Sequence, residues 1–187
     1  LFYNNVYFIV SETTSINNLD PSNNFIDVLP GQSLLIDNDS LSISLFYSSQ
    51  NSNYSFCIFE FIYFMRDDST VNSLSVKQFK SYIGKTLAQQ FINSNNIDFK
   101  NALVCDVPQS GILYGSSFAQ ELSLQYLQFI QRKADYPWRT FILKTNAERI
   151  LACKQKYFID NDITDKTVIV VDDSIVRGNT LKHLISL

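Results

Sequence analysis

The stretch that decides the fold is "VIVVDDSIVRGNT", residues 168–180. It begins with β-branched apolar residues, which are typical of a buried strand. Two carboxylates, Asp172 and Asp173, follow directly. Adjacent carboxylates repel each other when both are ionised, so the pair requires cations, hydroxyl donors or water nearby. The stretch therefore indicates a strand that ends at a binding site.

The loop after the acidic pair has the composition of an anion cradle. Gly178 permits close backbone approach, and Ser174, Asn179 and Thr180 offer hydrogen-bond donors. A helix that begins near Leu181 would direct its amide-rich end towards the loop. An acidic pair beside such a cradle suits a ligand with hydroxyls or a divalent cation on one side and a phosphate on the other. A sugar phosphate has this chemistry.

The pattern of predicted elements changes at a polar segment, residues 48–55. Before this segment, the pattern predicts antiparallel β structure, with strand-like runs at 3–13, 25–37 and 41–48. After it, strands alternate with helices, which favours a parallel sheet with its ligand at the carboxyl ends of the strands. The predicted strands are 56–65, 101–107, 139–143 and 166–171. The predicted helices are 75–94, with Val76, Phe79, Ile83, Leu87 and Phe91 on one side, 115–130 and 180–187.

Composition excludes several classes of protein. The chain has 187 residues, 45% of them hydrophobic, and a net charge of −3 without a run of Lys or Arg. It can form a core, and it lacks the clustered positive charge of a nucleic-acid-binding protein. No apolar stretch reaches the roughly 18 to 20 residues of a membrane span, so a cytoplasmic protein is expected. Cys57, Cys105 and Cys153 fit neither a disulfide framework nor a zinc site and are expected to be reduced thiols.

The stretch 168–180 resembles the phosphoribosyl-pyrophosphate (PRPP) motif of type I phosphoribosyltransferases. More specifically, it resembles the form of this motif in the glutamine PRPP amidotransferase family, the amidophosphoribosyltransferases. Other blocks resemble this family in the same order: "SETTSIN", "FIDVLPGQ", "CIFEFIYFMRDDSTVNSLSV", "DVPQSG" and "RKADYPWRTFI". The resemblance implies an α/β fold, a type I phosphoribosyltransferase-like parallel sheet with flanking helices, incomplete here. It implies that residues 1–47 are the end of an N-terminal-nucleophile glutaminase domain. Residues 48–187 would be a phosphoribosyltransferase domain that stops after the PRPP loop.

The family's activity is then the expected function. It is the transfer of ammonia, released from glutamine in another domain, to C1 of PRPP. The products are 5-phosphoribosylamine and pyrophosphate, in the first step of de novo purine biosynthesis. The resemblance also implies Mg²⁺ bound with PRPP, purine nucleotides as possible feedback inhibitors, and a homo-oligomer in the full-length protein. Neither nucleic acid nor a membrane is an expected partner.

The resemblance assigns roles to residues by position. Asp172 and Asp173 would hold the ribose hydroxyls and Mg²⁺, and Ser110 would complete the metal and pyrophosphate side. The cradle for the 5-phosphate would be formed by Ser174, Ile175, Val176, Arg177, Gly178, Asn179 and Thr180. The catalytic loop that closes over PRPP would contribute Lys133, Tyr136 and Arg139.

Departures from the family pattern leave an alternative open. The family usually has Thr at Asn179, an Asn-Arg pair at Ala134 and Asp135, and Gly at Trp138. The changes in the closing loop also suit a non-catalytic descendant that binds PRPP or a nucleotide for regulation.

Two further features bear on glutamine hydrolysis and on metal clusters. The family's glutaminase nucleophile is an N-terminal Cys, and no Cys precedes Cys57 here, so this chain alone is expected not to hydrolyse glutamine. Cys57 matches one ligand of an iron-sulfur cluster that some members carry, but a cluster is not predicted.

Overall fold

The computed structural model describes residues 1–16, 19, 25–49, 55–71, 73–94, 99–133, 144–160 and 163–186. The chain forms two compact units, which we call the first unit, Leu1–Phe79, and the second unit, Lys80–Leu187. This division rests on contacts within the chain and does not test the assignment of residues 1–47 to a glutaminase domain, which stays a prediction. Within the described ranges, no helix has the length and apolarity needed to cross a membrane.

Short antiparallel ladders make up most of the first unit. β1 (Phe2–Tyr3) pairs with β2 (Val6–Tyr7), β3 (Gln32–Asp37) with β4 (Ser42–Ser48), and β5 (Thr70–Val71) with β6 (Leu74–Ser75). A 3₁₀ helix covers Thr13–Ser15. The antiparallel prediction is confirmed for β3 and β4, but the run predicted at 25–37 is too long, because residues 25–31 are not in a strand.

The single strand predicted for residues 3–13 is wrong. The chain turns at Asn4 and Asn5, whose φ angles are 49° and 60°. Asn tolerates this left-handed conformation better than other residues with a side chain, so the pair forms the turn of a tight hairpin.

The buried strand predicted for residues 56–65 is also wrong. Glu60–Phe64 is a π-helix, and Phe59 and Phe64 are 57% and 61% exposed. Only Phe61 is buried in this segment, with its ring centroid 4.8 Å from that of Phe56 and 5.0 Å from that of Phe79. A short run that is apolar apart from one residue, Glu60, has no clear period, so it does not distinguish a strand from a helical turn.

The predicted first helix is confirmed as α1 (Val76–Ser94). Of the side predicted to be buried, Val76 is fully buried and Phe79, Ile83 and Phe91 are half-buried, so the prediction is wrong at Leu87. Gly84 and Ala88 are buried, whereas Leu87 is 40% exposed. A Cβ at Gly84 would lie 2.6 Å from the carbonyl oxygen of Tyr114 in the next helix. The small residues of α1 therefore face that helix, because they allow the two backbones to approach closely.

The second unit contains the predicted parallel sheet, in the order β11 (Thr167–Val171), β7 (Ala102–Asp106), β8 (Gln125–Tyr126). Both pairings are parallel. Leu103, Val104 and Cys105 are at most 4% exposed, as expected for a parallel strand that is covered on both faces. The strands predicted at 101–107 and 166–171 are confirmed.

The remaining elements flank this sheet. Their bounds are α2 (Ile112–Leu122), β9 (Ile130–Arg132), α3 (Asn146–Lys156), β10 (Tyr157–Ile159) and α4 (Asn179–Ile185). β9 pairs with β10 in antiparallel fashion. The helix predicted near the end of the chain is confirmed as α4. The strand predicted at 139–143 lies outside the described residues.

The helix predicted at 115–130 is wrong at both ends. α2 begins three residues earlier, and it ends where Ser123 adopts the left-handed conformation with φ of 54°. The following residues enter β8 and β9. Apolar residues continue beyond Leu122 because they join the core cluster around Phe129 and Ile130, so hydrophobicity alone did not mark the end of the helix.

Candidate functional site at the carboxyl edge of the sheet

Two loops leave the sheet side by side. Val171, at the end of β11, is in register with Asp106, at the end of β7. The pairing continues for one more bond, in which the amide of Val107 donates to the carbonyl oxygen of Val171 at 2.9 Å. Beyond this bond lie the loop 107–111, which we call the pyrophosphate-side loop, and the loop 172–178, which we call the acidic loop. Parallel pairing thus places both loops at the same edge.

Gly111 brings the pyrophosphate-side loop close to the end of β11. A Cβ at this position would lie 2.5 Å from the carbonyl oxygen of Val171 and 2.9 Å from the amide nitrogen of Val107. Both are backbone atoms, which cannot move aside as a flexible side chain can. Only glycine therefore fits here, and its presence lets α2 begin directly against the strand.

Four residues predicted for the site are brought together by this arrangement. The hydroxyl of Ser110 donates to Oδ1 of Asp172 at 3.1 Å, across a separation of 62 residues in sequence. The amide of Asp173 donates to the same oxygen at 2.9 Å. The hydroxyl of Ser174 donates to Oδ1 of Asp173 at 3.0 Å. Asp172 and Asp173 thus accept hydrogen bonds from hydroxyl and amide donors, and hydroxyl donors are among the partners that the sequence predicted for adjacent carboxylates.

The electrostatics of the pair favour a cation. Burial, followed by the charge of Asp173, raises the pKa of Asp172 to about 6. The hydrogen bonds from the Asp173 amide and from Ser110 act in the opposite direction and only partly offset the rise. An ionised Asp172 is therefore short of positive charge, which a divalent cation would supply.

The donor set fits Mg²⁺ held jointly with a ligand. Mg²⁺ prefers oxygen ligands and is commonly bound by one or two carboxylates, with waters and substrate phosphates as the other ligands. Asp172, Asp173 and Ser110 offer such oxygens. Among the described residues there is no group of three or more His, Cys, Asp or Glu side chains that could bind a metal by itself.

The rest of the acidic loop is open. Ile175 and Val176 are 70% and 75% exposed. Gly178 has φ of 70°, with no atom within 4 Å of the place where a Cβ would stand. α4 begins at the next residue, Asn179, and the amide of Lys182 donates to the carbonyl oxygen of Gly178 at 2.9 Å. The segment predicted to cradle a phosphate is therefore an accessible loop at a helix start, but its role stays a prediction.

The structure describes only one of the residues predicted for the closing loop. Lys133 is exposed just after β9, where its amide donates to the carbonyl oxygen of Lys156 at 2.9 Å. The other residues singled out there lie outside the described residues: Ala134, Asp135, Tyr136, Trp138 and Arg139.

Asp106 was not singled out from the sequence. It is 2% exposed at the end of β7, and its Oδ1 accepts hydrogen bonds from the hydroxyl of Tyr126 at 2.5 Å and from Nε2 of Gln128 at 3.3 Å. Its signal in the sequence is a carboxylate that ends the apolar run 102–105. The same pattern drew attention to Asp172.

The parallel sheet, its flanking helices and the position of the site at its carboxyl edge give the second unit the type I phosphoribosyltransferase fold. A solved structure that matches the chain is glutamine PRPP amidotransferase from B. subtilis, in a complex with ADP and GMP. The TM-score is 0.73 at 29% identity, and the match covers 94% of this chain and 37% of that one.

Sequence comparison leads to the same enzymes. The chain is 34% identical over 183 residues to the amidophosphoribosyltransferase of Archaeoglobus fulgidus, covering 97% of this chain and 38% of the relative. It is 31% identical over 198 residues to that of Methanocaldococcus jannaschii, covering 98% and 40%. No protein-family model matches the chain.

These comparisons confirm the resemblance read from the motifs: the chain is homologous to amidophosphoribosyltransferases along nearly its whole length. It spans about two fifths of the length of these curated relatives, 38% and 40% in the two cases above.

Proposed function

We propose that this chain is the PRPP-binding portion of an amidophosphoribosyltransferase. The whole protein would transfer ammonia to C1 of PRPP, giving 5-phosphoribosylamine and pyrophosphate in the first step of purine biosynthesis. The observation that carries the proposal is the hydrogen bond between Ser110 and Asp172. This bond joins the loops that follow two neighbouring parallel strands, at the edge where such sheets bind ligands. Both residues lie in stretches that resemble motifs of the family.

The chemistry accounts for the composition of the site. When pyrophosphate departs from C1, the ribose centre becomes electron-poor, so the protein must orient PRPP and stabilise charge without a covalent nucleophile. Asp172 and Asp173 would accept hydrogen bonds from the ribose hydroxyls. Ser174 to Thr180 would hold the 5-phosphate, with the start of α4 facing it.

Asp172, Asp173 and Ser110 would hold Mg²⁺ together with PRPP. When bound there, Mg²⁺ would neutralise part of the charge on the pyrophosphate group as it leaves. The raised pKa of Asp172 supports this assignment, because an acidic site without a cation disfavours its own ionisation.

We also propose the remaining features of the family for the whole protein. Lys133, Tyr136 and Arg139 would close over PRPP and exclude water, and the planar guanidinium of Arg139 suits a phosphate. The B. subtilis relative was solved with ADP and GMP, which supports purine nucleotides as regulators here. A cytoplasmic homo-oligomer, with residues 1–47 as the end of a glutaminase domain, completes this proposal.

The test is an assay of pyrophosphate release from PRPP by the full-length protein, with Mg²⁺ and ammonium supplied directly. Asp172→Asn should lower kcat/KM by at least about 100-fold, because it removes charge from the site that must hold the cation and the ribose. Asp165→Asn is the matched control. This residue lies on an exposed turn with φ of 60°, which Asn tolerates, so its kcat/KM should equal that of the wild type. Equal rates in the two variants would remove the reaction from this site.

A further inference from the structure

The buried carboxylate of Asp106 is not used by the mechanism above. It is 2% exposed and accepts a hydrogen bond of 2.5 Å from the Tyr126 hydroxyl. A second bond of 3.3 Å comes from Nε2 of Gln128. A carboxylate at this depth is costly unless it is well paired, so both partners stabilise its present position.

The two partners lie in one segment of chain, residues 126–133, which we call the approach segment. Tyr126 ends β8, and the amide of Leu127 donates to the carbonyl oxygen of Val104 at 2.9 Å. The segment then continues through β9 to Lys133, where the proposed closing loop begins. The hydrogen bonds to Asp106 therefore fix the first part of the route to that loop.

Asp106 is also the residue from which the pyrophosphate-side loop starts. Its own backbone is fixed, because it pairs with Val171 and precedes the bond from Val107 to the same residue. Its side chain is confined by α2, since a Cβ at Gly115 would stand 3.1 Å from the Cβ of Asp106. The carboxylate thus cannot follow the approach segment if that segment shifts.

We propose that Asp106 is a positioning residue that ties the approach segment to the start of the pyrophosphate-side loop. Through this tie, the approach segment, up to Lys133, keeps a fixed position relative to Ser110 and Asp172. The catalytic part of this inference rests on the proposed function, but the tie itself does not.

The chemistry of Tyr126 suits this role. Burial, followed by the hydrogen bond to Asp106, raises the pKa of the Tyr126 hydroxyl. The hydroxyl therefore stays protonated and acts as a donor throughout the physiological range. A hydrogen bond from a neutral hydroxyl to a carboxylate is charge-assisted, and such bonds are among the shorter and stronger ones in proteins.

The experiment uses the full-length protein and compares Tyr126→Phe with Phe91→Leu. Tyr126→Phe removes one oxygen atom and keeps the ring. Phe91→Leu is the control for general loss of packing, because Phe91 contacts Phe118 between α1 and α2, with ring centroids 5.5 Å apart. Hydrogen–deuterium exchange is measured without ligand, and steady-state kinetics are measured with PRPP, Mg²⁺ and ammonium.

In Tyr126→Phe we expect faster exchange in the pyrophosphate-side loop and in the approach segment together. We also expect a fall in kcat of about 10-fold with less than a twofold change in the KM for PRPP, since a small misplacement of Ser110 relative to the approach segment acts on the transition state more than on binding. Phe91→Leu should change neither the exchange of these two segments nor kcat when measured well below its melting temperature.

Unchanged exchange in the pyrophosphate-side loop, or the same pattern in both variants, would overturn the tie. Coupled exchange with unchanged kcat would overturn its catalytic role. If the wild type releases no pyrophosphate from PRPP, the proposed function fails, and the exchange data alone decide whether Asp106 joins the two segments.

Discussion

Strands of the two units differ sharply in how much of their apolar surface is covered. In the second unit, Val104 and Cys105 of β7 are fully buried, with β11 on one side and β8 on the other. In the first unit, the consecutive residues Leu45, Phe46 and Tyr47 of β4 are 57%, 74% and 59% exposed. A parallel strand in the middle of a sheet is covered on both faces. By contrast, β3 is the one strand that pairs with β4 among the residues that the structure describes. Strand-like composition is therefore not by itself a sign of a core.

The first unit depends instead on polar side chains that join distant parts of the chain. Oε2 of Glu12 accepts hydrogen bonds from the amide of Arg66 at 3.0 Å and from the hydroxyl of Ser69 at 2.7 Å. The hydroxyl of Thr14 donates to Asp68 at 2.6 Å. This unit also contains a largely apolar cavity of about 710 Å³. Dense packing makes a smaller contribution there than in the sheet.

The carboxylates of the two units differ in the same way. In the first unit, the hydroxyl of Ser40 is the main cause that lowers the pKa of Asp37, and the hydroxyl of Thr14 lowers that of Asp68. In the second unit, burial and a neighbouring charge raise the pKa of Asp172. The first unit stabilises its carboxylates in the charged form, whereas the edge of the sheet destabilises one. A site that must attract a cation has this property.

The largest effect is expected from Gly111→Ala in the second unit. The new Cβ would lie 2.5 Å from a backbone oxygen, so either α2 or the end of β11 must shift, at a cost of about 3 kcal/mol or more. Gly178→Ala is the matched control, because nothing stands within 4 Å of its Cβ and only its φ of 70° opposes the change. It should cost about 1 kcal/mol. Urea unfolding followed by amide exchange in β7 and β11 measures both, and equal losses would contradict the close approach.

The second-largest effect tests the difference in burial between strand β7 of the second unit and strand β4 of the first unit. Val104→Ala removes fully buried methyl groups and should lower the free energy of unfolding of the second unit by about 2 to 3 kcal/mol. Leu45→Ala, at a position that is 57% exposed, should change that of the first unit by less than about 0.5 kcal/mol. Amide exchange resolved by segment reports each unit separately. A loss at Leu45 comparable to that at Val104 would show that β4 is covered in solution.

A smaller effect is expected from Asp172→Asn, measured without divalent cations. The folded pKa of about 6 lies above the ordinary value of 3.8, so the folded state binds the proton more tightly. The resulting stability is present below the ordinary pKa and is lost as the pH rises through about 6. The neutral Asn does not incur this loss. The variant should therefore exceed the wild type in stability by about 1 to 2 kcal/mol at pH 8. Most of this difference should be gone at pH 4, and the rest below the ordinary pKa.

Asp37→Asn should change the stability in the opposite direction to Asp172→Asn at pH 8. The lowered pKa of Asp37 means that its ionised form is favoured in the folded state. Its contribution is present above the ordinary pKa and is lost as the pH falls through the lowered folded value. This variant should be less stable than the wild type at pH 8, with the gap closing in acid. Melting curves at pH 8 and pH 4 suffice for Asp172→Asn, whereas Asp37→Asn also needs a curve well below the ordinary pKa of 3.8, at about pH 2, where its gap should close. A shared sign at pH 8 would refute the contrast between the units.

Much of the second unit could be predicted from local sequence. Four β-branched residues before Asp172 marked β11, the apolar run before Asp106 marked β7, and periodic apolar residues marked α1. These signals are reliable because each reflects the burial of a single element: continuous apolar residues for a strand of a parallel sheet, and apolar residues at helical spacing for α1. The pairing of the acidic motif with its strand also followed from sequence, since a motif and its strand are adjacent in the chain.

Other features were decided only by contacts between distant residues. The segment around Phe61 forms a π-helix. It could not be predicted, because its apolar run, interrupted by Glu60, has no period that specifies a strand or a helix. On α1, Gly84 and Ala88 are buried whereas Leu87 is exposed. At Gly84 the backbone of α2 lies too close for a side chain, a contact that no pattern within α1 records. The hydrophobic pattern did not predict the end of α2 at Leu122, because apolar residues that follow it, such as Phe129 and Ile130, are also buried in the core.

The sequence by itself determined which chemical groups this protein can bring to a ligand: two adjacent carboxylates, a hydroxyl on a separate turn, and a loop suited to a phosphate. Tertiary structure alone decided that Ser110 bonds to Asp172 and that Asp106 is bonded to Tyr126. The physical reason is that parallel pairing brings together strand ends that are 65 residues apart, Asp106 and Val171. No local pattern records which residues will share an edge.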